Sequence, residues 1–341
     1  MTVEEWTKKR EDIKLILQRE EYGFIPEKPL SMNVEELSSY DNFCAGKASL
    51  KKMKMTCKVL GGTVEFPFTY VKLHGIEKQK TMILINFSGE VPDKYNPTEE
   101  IVERGWALAA FDYQGLTSDI PNQGREINAD KNALALGYDK DETAPGKIAI
   151  WAWGAMRILD YLLTLPETDG ENVGVIGHSR LGKTALVAGA FDDRFKFVRS
   201  NCSGTCGASL FNDANERSES IEKIYTQFPY WFCKNFGKYM GKDKEMPFDQ
   251  DMLASLVAPR FLSIGSAELD LWANPASEMN CARKASYAWE ICGKDGLVAP
   301  TAAKADEWYH AGNVGYDMRS GTHYLSRRDW NAFLSFCEGK L

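Results

Sequence analysis

The sequence predicts an α/β protein: a mostly parallel central sheet with helices on both faces, entered through an antiparallel N-terminal hairpin. Three observations carry this expectation. Short continuous apolar runs, Thr81-Met-Ile-Leu-Ile-Asn-Phe87, Ala107-Leu-Ala-Ala-Phe111 and Val173-Gly-Val-Ile176, have the length and composition of strands covered on both faces. Segments of helical period lie between such runs, clearest from Lys147 to Leu165, where Ile150, Trp153, Met156, Ile158, Tyr161 and Leu162 form a broad apolar face. Lys52 to Val59 and Val64 to Leu73 alternate apolar and polar residues on either side of Gly61-Gly62, as the two arms of a hairpin do.

The remaining elements follow in chain order. Trp6, Ile13 and Leu17 fall near helical spacing among charges, so residues 1–50 read as an N-terminal helical arm. A helix from Thr98 to Arg104 separates the first two buried strands. Asp112 to Pro145 is too long for a connection and carries recurrent apolar anchors, so 113–145 reads as a functional loop over the site. Past the helix at 147–165, Phe195 to Asn201 is the next strand. Residues 204–247 form a second insertion whose cluster Phe228-Pro-Tyr-Trp231-Phe232 reads as a pocket wall. Pro259 to Gly265 is again a buried strand, residues 276–291 a helix, Glu307 to His310 a short final strand, and Arg327 to Cys337 a terminal helix. All of 1–341 reads as one domain, because no composition break divides it.

Lys and Arg number 41 against 48 Asp and Glu, a net charge of −7 without long runs of either sign, which argues against nucleic acid as a partner. No run of eighteen apolar residues exists, and Met1-Thr-Val-Glu-Glu-Trp6 lacks the apolar stretch of a signal peptide. The expectation is a chain without a membrane partner, cytoplasmic as it stands and secreted if a leader has been removed. The eight cysteines are scattered without a C-x-x-C pair and read as reduced thiols; no metal site is expected, at Cys202-Ser-Gly-Thr-Cys206 or elsewhere.

The chemistry concentrates in Gly177-His178-Ser179-Arg180-Leu181-Gly182-Lys183. An apolar strand ends there, small and apolar residues then continue at helical spacing, and a serine stands at the turn. This is the arrangement of a nucleophile elbow, spaced G-x-S-x-x-G rather than the usual G-x-S-x-G. An attacking serine needs a base, and the base needs an acceptor that fixes its tautomer. In the α/β-hydrolase fold these follow the chain order nucleophile, acid, histidine. Ser179, then Glu268 or Asp270 in the loop after Gly265, then His323 before the last helix fit that order. Backbone N–H groups of the turn Ser88-Gly89-Glu90 are candidates for half of an oxyanion hole. This chemistry requires no cofactor.

The elbow, together with Ile150-Trp-Ala-Trp153-Gly154-Ala-Met-Arg157, Asp270-Leu-Trp272-Ala-Asn-Pro275 and Gly321-Thr-His323, resembles the glucuronoyl esterases of carbohydrate esterase family 15 and related acetyl xylan esterase-like proteins. The resemblance runs from about Thr81 to the C-terminus. It implies a serine esterase acting on a small-molecule or polysaccharide ester of plant cell-wall carbohydrate, foremost a 4-O-methyl-glucuronoyl ester of glucuronoxylan. It further implies that Arg180 helps hold the oxyanion, that Lys183 binds sugar hydroxyls and that Trp272 lines the sugar pocket. The sequence departs from the family at one place: many members carry the triad glutamate in a Glu-Ser-Gly context, where this chain has Cys202-Ser203-Gly204. The acid then falls to Glu268 or Asp270, and the resemblance favours Asp270, whose spacing to Trp272 matches the family's alternative acid. An acetyl xylan or aryl esterase remains the second expectation, and a carbohydrate-binding protein without turnover, motivated by the missing glutamate, the third.

Overall fold

The sheet opens with three antiparallel strands, one more than the alternation predicts. In the computed structural model, which describes residues 1–341, β1 (Ser31–Phe43) pairs with β2 (Ala48–Val59), and β2 pairs with β3 (Gly62–Leu73) in the expected hairpin. The segment 1–50 is therefore helical only at its start. The helix Val3–Leu17, begun by a reciprocal Thr2 and Glu5 cap, widens into a π-helical turn through Tyr22 before the chain extends into β1. β1 escaped the sequence reading because it is exposed along most of its length: its backbone ladder holds it, and no apolar stripe marks it.

The buried strands are β4 (Gln79–Asn86), β5 (Trp106–Asp112), β6 (Thr168–His178), β7 (Phe197–Asn201) and β8 (Phe261–Ala267), and a charged one joins them, β10 (Val314–Arg319). β5-β4-β6-β7-β8-β10 run parallel; β3 enters antiparallel against β5, and β9 (Glu307–Tyr309), the short strand expected near 307–310, closes the far edge. β10 was missed because Asp317 and Arg319 interrupt its apolar pattern. Both are buried and paired, Asp317 with Arg199 of β7 and Arg319 with Asp329 at 2.9 Å. The predicted helix at 276–291 divides at Ser286 into Pro275–Ala285 and Tyr287–Ile291, with Ser286 Oγ donating to Ala282 O and accepting from Leu297 N.

The apolar core is continuous from Trp6 and Leu17 through the strands to Trp289 and Trp330. All eight cysteines are unpaired thiols. No helix is long and apolar enough to cross a membrane. Because the central strands are parallel, their C-terminal ends reach one edge of the sheet, where α/β proteins hold their ligands. His178, Asn201 and Gly265 pair in register at that edge, as do Ala267 and Arg319. The residues that follow these strand ends are Ser179, Cys202, Asp270 and His323.

Candidate active site

Ser179 sits between β6 and the helix Arg180–Phe191 with φ 59° and ψ −128°, a conformation that side-chain-bearing residues rarely adopt. Two glycines make the turn possible. A Cβ on Gly177 would lie 2.0 Å from Leu181 O, and one on Gly182 would lie 2.9 Å from Asn201 O, so the late second glycine serves the approach of the helix to β7. Ser179 N donates to Asn201 O at 2.9 Å, and Lys183 N to Ser179 O at 3.1 Å, which hold the turn in place.

His323 Nδ1 lies 2.5 Å from Asp270 Oδ2. The Asp270 carboxylate is buried while the imidazole remains partly exposed, so a shielded charge fixes an accessible ring. Glu268 does not share this position. The loop after β8 is a turn rather than an extended strand, closed by Asp270 N to Ala267 O at 3.0 Å; it sends Glu268 into solvent and Asp270 inward. The second face of His323 is covered by His178, whose ring centre is 4.4 Å away. Burial and the neighbouring His323 hold His178 well below the usual imidazole value, so it is a neutral platform. Asn201 Oδ1 accepts from Arg199, so its amide nitrogen is the group facing His178 Nδ1 at 3.2 Å.

Cys202 directly follows β7 with φ 46°, and its thiol lies within 4.8 Å of the Asp270 and His323 ligand atoms. Burial, reinforced by the Glu278 carboxylate, pushes the thiol well above its usual value, so it is a neutral neighbour of the pair. Glu278 pins the loop beyond it, accepting from Ser203 N at 2.7 Å, Gly204 N at 3.1 Å and Ser266 Oγ at 2.6 Å.

Ser179, Arg180, Lys183, Trp231, Trp272 and His323 all line one cavity of about 210 Å³, on the scale of a single sugar ring. Trp272 stands at its rim, 43% exposed, with Lys223 Nζ 5.2 Å above the ring. The turn Ser88-Gly89-Glu90, a sequence candidate for oxyanion donors, is not part of the lining. Nor is any residue of 113–145: that segment lies behind the wall, where Asp119 accepts from Arg180 Nη1. The second insertion does face the cavity, through Glu219, Ile224, Gln227, Phe228 and Trp231.

Lys183 lines the cavity with its ammonium already engaged. Its three N–H bonds already have acceptors, Ser203 O at 2.6 Å, Thr205 O at 2.6 Å and Glu219 Oε2 at 2.8 Å. An ammonium has three donors, so all of those of Lys183 are satisfied within the chain, and the Glu219 carboxylate pairs its charge. Sequence reasoning missed Glu219 and Asp119, which stand in insertions without motif. Asp119 collects donors from Tyr113, Arg180, Tyr230 and Trp231. Burial raises its carboxyl, but the Arg180 charge and the hydrogen bonds outweigh burial and hold it below the usual carboxylate value.

A family model described as glucuronyl esterase, fungi, matches residues 58–293. The chain is 38% identical over 246 residues to carbohydrate esterase MZ0003 from an unknown prokaryotic organism, which spans 70% of this chain and 55% of that one. It is 27% identical over 304 residues to the 4-O-methyl-glucuronoyl methylesterase of Podospora anserina, over 85% of this chain and 57% of that one. The chain thus spans about half the length of these two curated relatives. A solved glucuronoyl esterase from Solibacter usitatus superposes with a TM-score of 0.87 at 30% identity, over 100% of this chain and 94% of that one. A promiscuous CE15 esterase from a marine bacterial metagenome gives 0.86 at 26% identity, over 100% and 94%. A matched model over more than half the chain, and whole-chain superposition on an α/β-hydrolase of the same kind, lead to one conclusion: the chain belongs to the glucuronoyl esterase family.

Proposed function

We propose that this protein is a serine carboxylic-ester hydrolase that cleaves 4-O-methyl-glucuronoyl esters. The observation that carries the reading is His323, held by Asp270 at 2.5 Å, on the wall of the cavity that Ser179 and Arg180 also line. The Ser179 hydroxyl attacks the ester carbonyl and gives its proton to His323 Nε2, while Asp270 stabilises the imidazolium through Nδ1–H. Arg180 offers a fixed cation to the oxyanion that develops on the carbonyl oxygen. His323 then protonates the departing alcohol, and a water activated by the same imidazole releases the uronate from Ser179. The substrate class rests on family membership and on the name of the Podospora anserina relative. A cavity of one-ring size, with the Glu219 carboxylate and the Trp272 ring face on its walls, suits a pyranose. The buried Asp270 beside His323 also removes the motive for a carbohydrate-binding protein without turnover, since the missing glutamate has a substitute.

The test is turnover of benzyl glucuronate beside an acetylated sugar, with Ser179→Ala as control. Hydrolysis of the glucuronate ester is expected, with kcat lower by about three powers of ten or more in Ser179→Ala. Cleavage of the acetylated sugar alone would assign a deacetylase instead, and equal rates in Ser179→Ala would remove the serine mechanism.

A further inference from the structure

Arg180 begins the elbow helix, and nothing in its sequence position decides where its long side chain goes. The structure puts the guanidinium against a carboxylate that has no freedom of its own. Asp119 is buried, with its side chain wholly inaccessible, and both oxygens are fully engaged. Oδ1 accepts from Tyr230 Oη at 2.6 Å and Trp231 Nε1 at 2.9 Å; Oδ2 accepts from Tyr113 Oη at 2.7 Å and from Arg180 Nη1. A carboxylate offers about four lone-pair sites, and four donors from three stretches of the chain occupy them. The guanidinium also lies beside a pair of aromatic rings, 4.7 Å from the Trp231 centre and 5.3 Å from that of Phe228, which are themselves stacked 3.9 Å apart. Arg180 Nη1 is thereby committed, while Nε–H has no acceptor in the chain.

We propose that Asp119 is a positioning residue for the esterase reaction: it clamps the Arg180 guanidinium beside Ser179, so that the cation is in place before negative charge develops on the carbonyl oxygen. The proposal rests on the reading of Ser179 as nucleophile and deepens it. A free arginine side chain would have to lose rotamer freedom during the chemical step, whereas a clamped one has lost it in folding. The same acceptor also explains the polar edges of Tyr113, Tyr230 and Trp231, which would otherwise be buried donors without partners. The two insertions, one behind the cavity wall and one forming it, are thus joined at the back of the oxyanion donor.

The experiment is a double-mutant cycle on benzyl glucuronate with Asp119→Asn and Arg180→Ala. Asp119→Asn alone is expected to lower kcat about a hundredfold with KM within about twofold, the cost of a misplaced transition-state contact. In the Arg180→Ala background the same change should cost less than about twofold, because no guanidinium remains to be positioned. An equal loss in both backgrounds, or no loss in either, overturns the proposal. If Asp119→Asn does not fold, Tyr230→Phe removes one donor to Asp119 and should show the same dependence on Arg180 with a smaller loss. A readout independent of turnover separates failure of the clamp from failure of the esterase reading. The Arg180 Nη1–H resonances, identified by their absence in Arg180→Lys, belong to the group that donates to Asp119 and should exchange slowly with water in the unmutated protein and fast in Asp119→Asn. Fast exchange in the unmutated protein overturns the clamp even if the ester is hydrolysed, and slow exchange without hydrolysis keeps the clamp while the esterase reading falls.

Discussion

At the scale of single residues, the assignment of the acid turns on a two-residue difference. Asp270 points inward because its own N–H closes a turn onto Ala267 O, and Glu268 points outward from the same turn. Cys202, at the place where many family members carry the triad glutamate, holds its proton tightly under burial and offers His323 no charge. Asp270→Asn is therefore expected to cut kcat by about four powers of ten at neutral pH, since the imidazole loses both its tautomer and its stabilising charge. Glu268→Gln should stay within about twofold of the unmutated enzyme, as exposed substitutions away from the chemistry do. Steady-state kinetics on benzyl glucuronate read both, and the reverse order of the two losses would transfer the acid's role to Glu268. Ser179 was legible from sequence because an elbow is a contiguous pattern of glycines, apolar strand and helix. The residues themselves left Asp270 and Glu268 open, with only the resemblance favouring Asp270, because the choice depends on whether the loop is extended or turned.

At the scale of elements, β7 and β10 show how charge can hide a core strand. Arg199 lies fully buried on β7 and is met by Asp317 of β10 at Nη1 and, at 2.9 Å, at Nη2; Ser263 Oγ at 2.7 Å and Asn201 Oδ1 at 3.0 Å complete its partners. A Cβ on Gly265 would fall 1.9 Å from Arg199 Nη2, so the neighbouring strand leaves room for the guanidinium. This pair lies beneath the site, since the Asn201 amide that Arg199 orients is the one that faces His178. Breaking a buried pair leaves an uncompensated charge, and Asp317→Asn is expected to cost about 3 kcal/mol of stability, measurable by urea unfolding. An unchanged urea midpoint would mean that Asp329, 3.9 Å from Arg199 Nη2, compensates alone.

Across the whole molecule, the N-terminal arm is tied to the region behind the cavity by buried polar groups. Tyr22 Oη donates to Cys206 O at 3.1 Å, and Gln250 Nε2 reaches both carboxylate oxygens of Glu21 at 3.0 Å. Burial pushes Glu21 up from 4.5 to about 8, with the Gln250 hydrogen bond opposing it. As pH rises, the unfolded chain releases this proton near 4.5 and the folded chain keeps it until about 8, so folding loses ground across that window. Replacing the acid by an amide removes the effect. The stability of Glu21→Gln relative to the unmutated protein should be flat below about pH 4.5, rise by up to about 1.4 kcal/mol per pH unit between there and pH 8, and level off above. Thermal unfolding at a series of pH values reads this, and parallel pH dependences for the two proteins would refute the assignment to Glu21.

What the sequence alone determined is what contiguous residues can encode: the period of the buried parallel strands, the alternation of the β2 and β3 hairpin, the glycine spacing around Ser179, and a histidine placed before the last helix. The tertiary structure decided the rest. β1 is held by a backbone ladder that leaves no side-chain pattern, and β10 carries a charged pair whose partner stands on another strand. Lys183 has its three donors filled by Ser203, Thr205 and Glu219. Asp270 meets His323 across 53 residues and Asp119 meets Arg180 across 61. Such pairings follow from strand order and loop closure, which hydrophobic periodicity does not specify, because the energy that fixes them arises only once the burial of distant segments has removed water from between their charges.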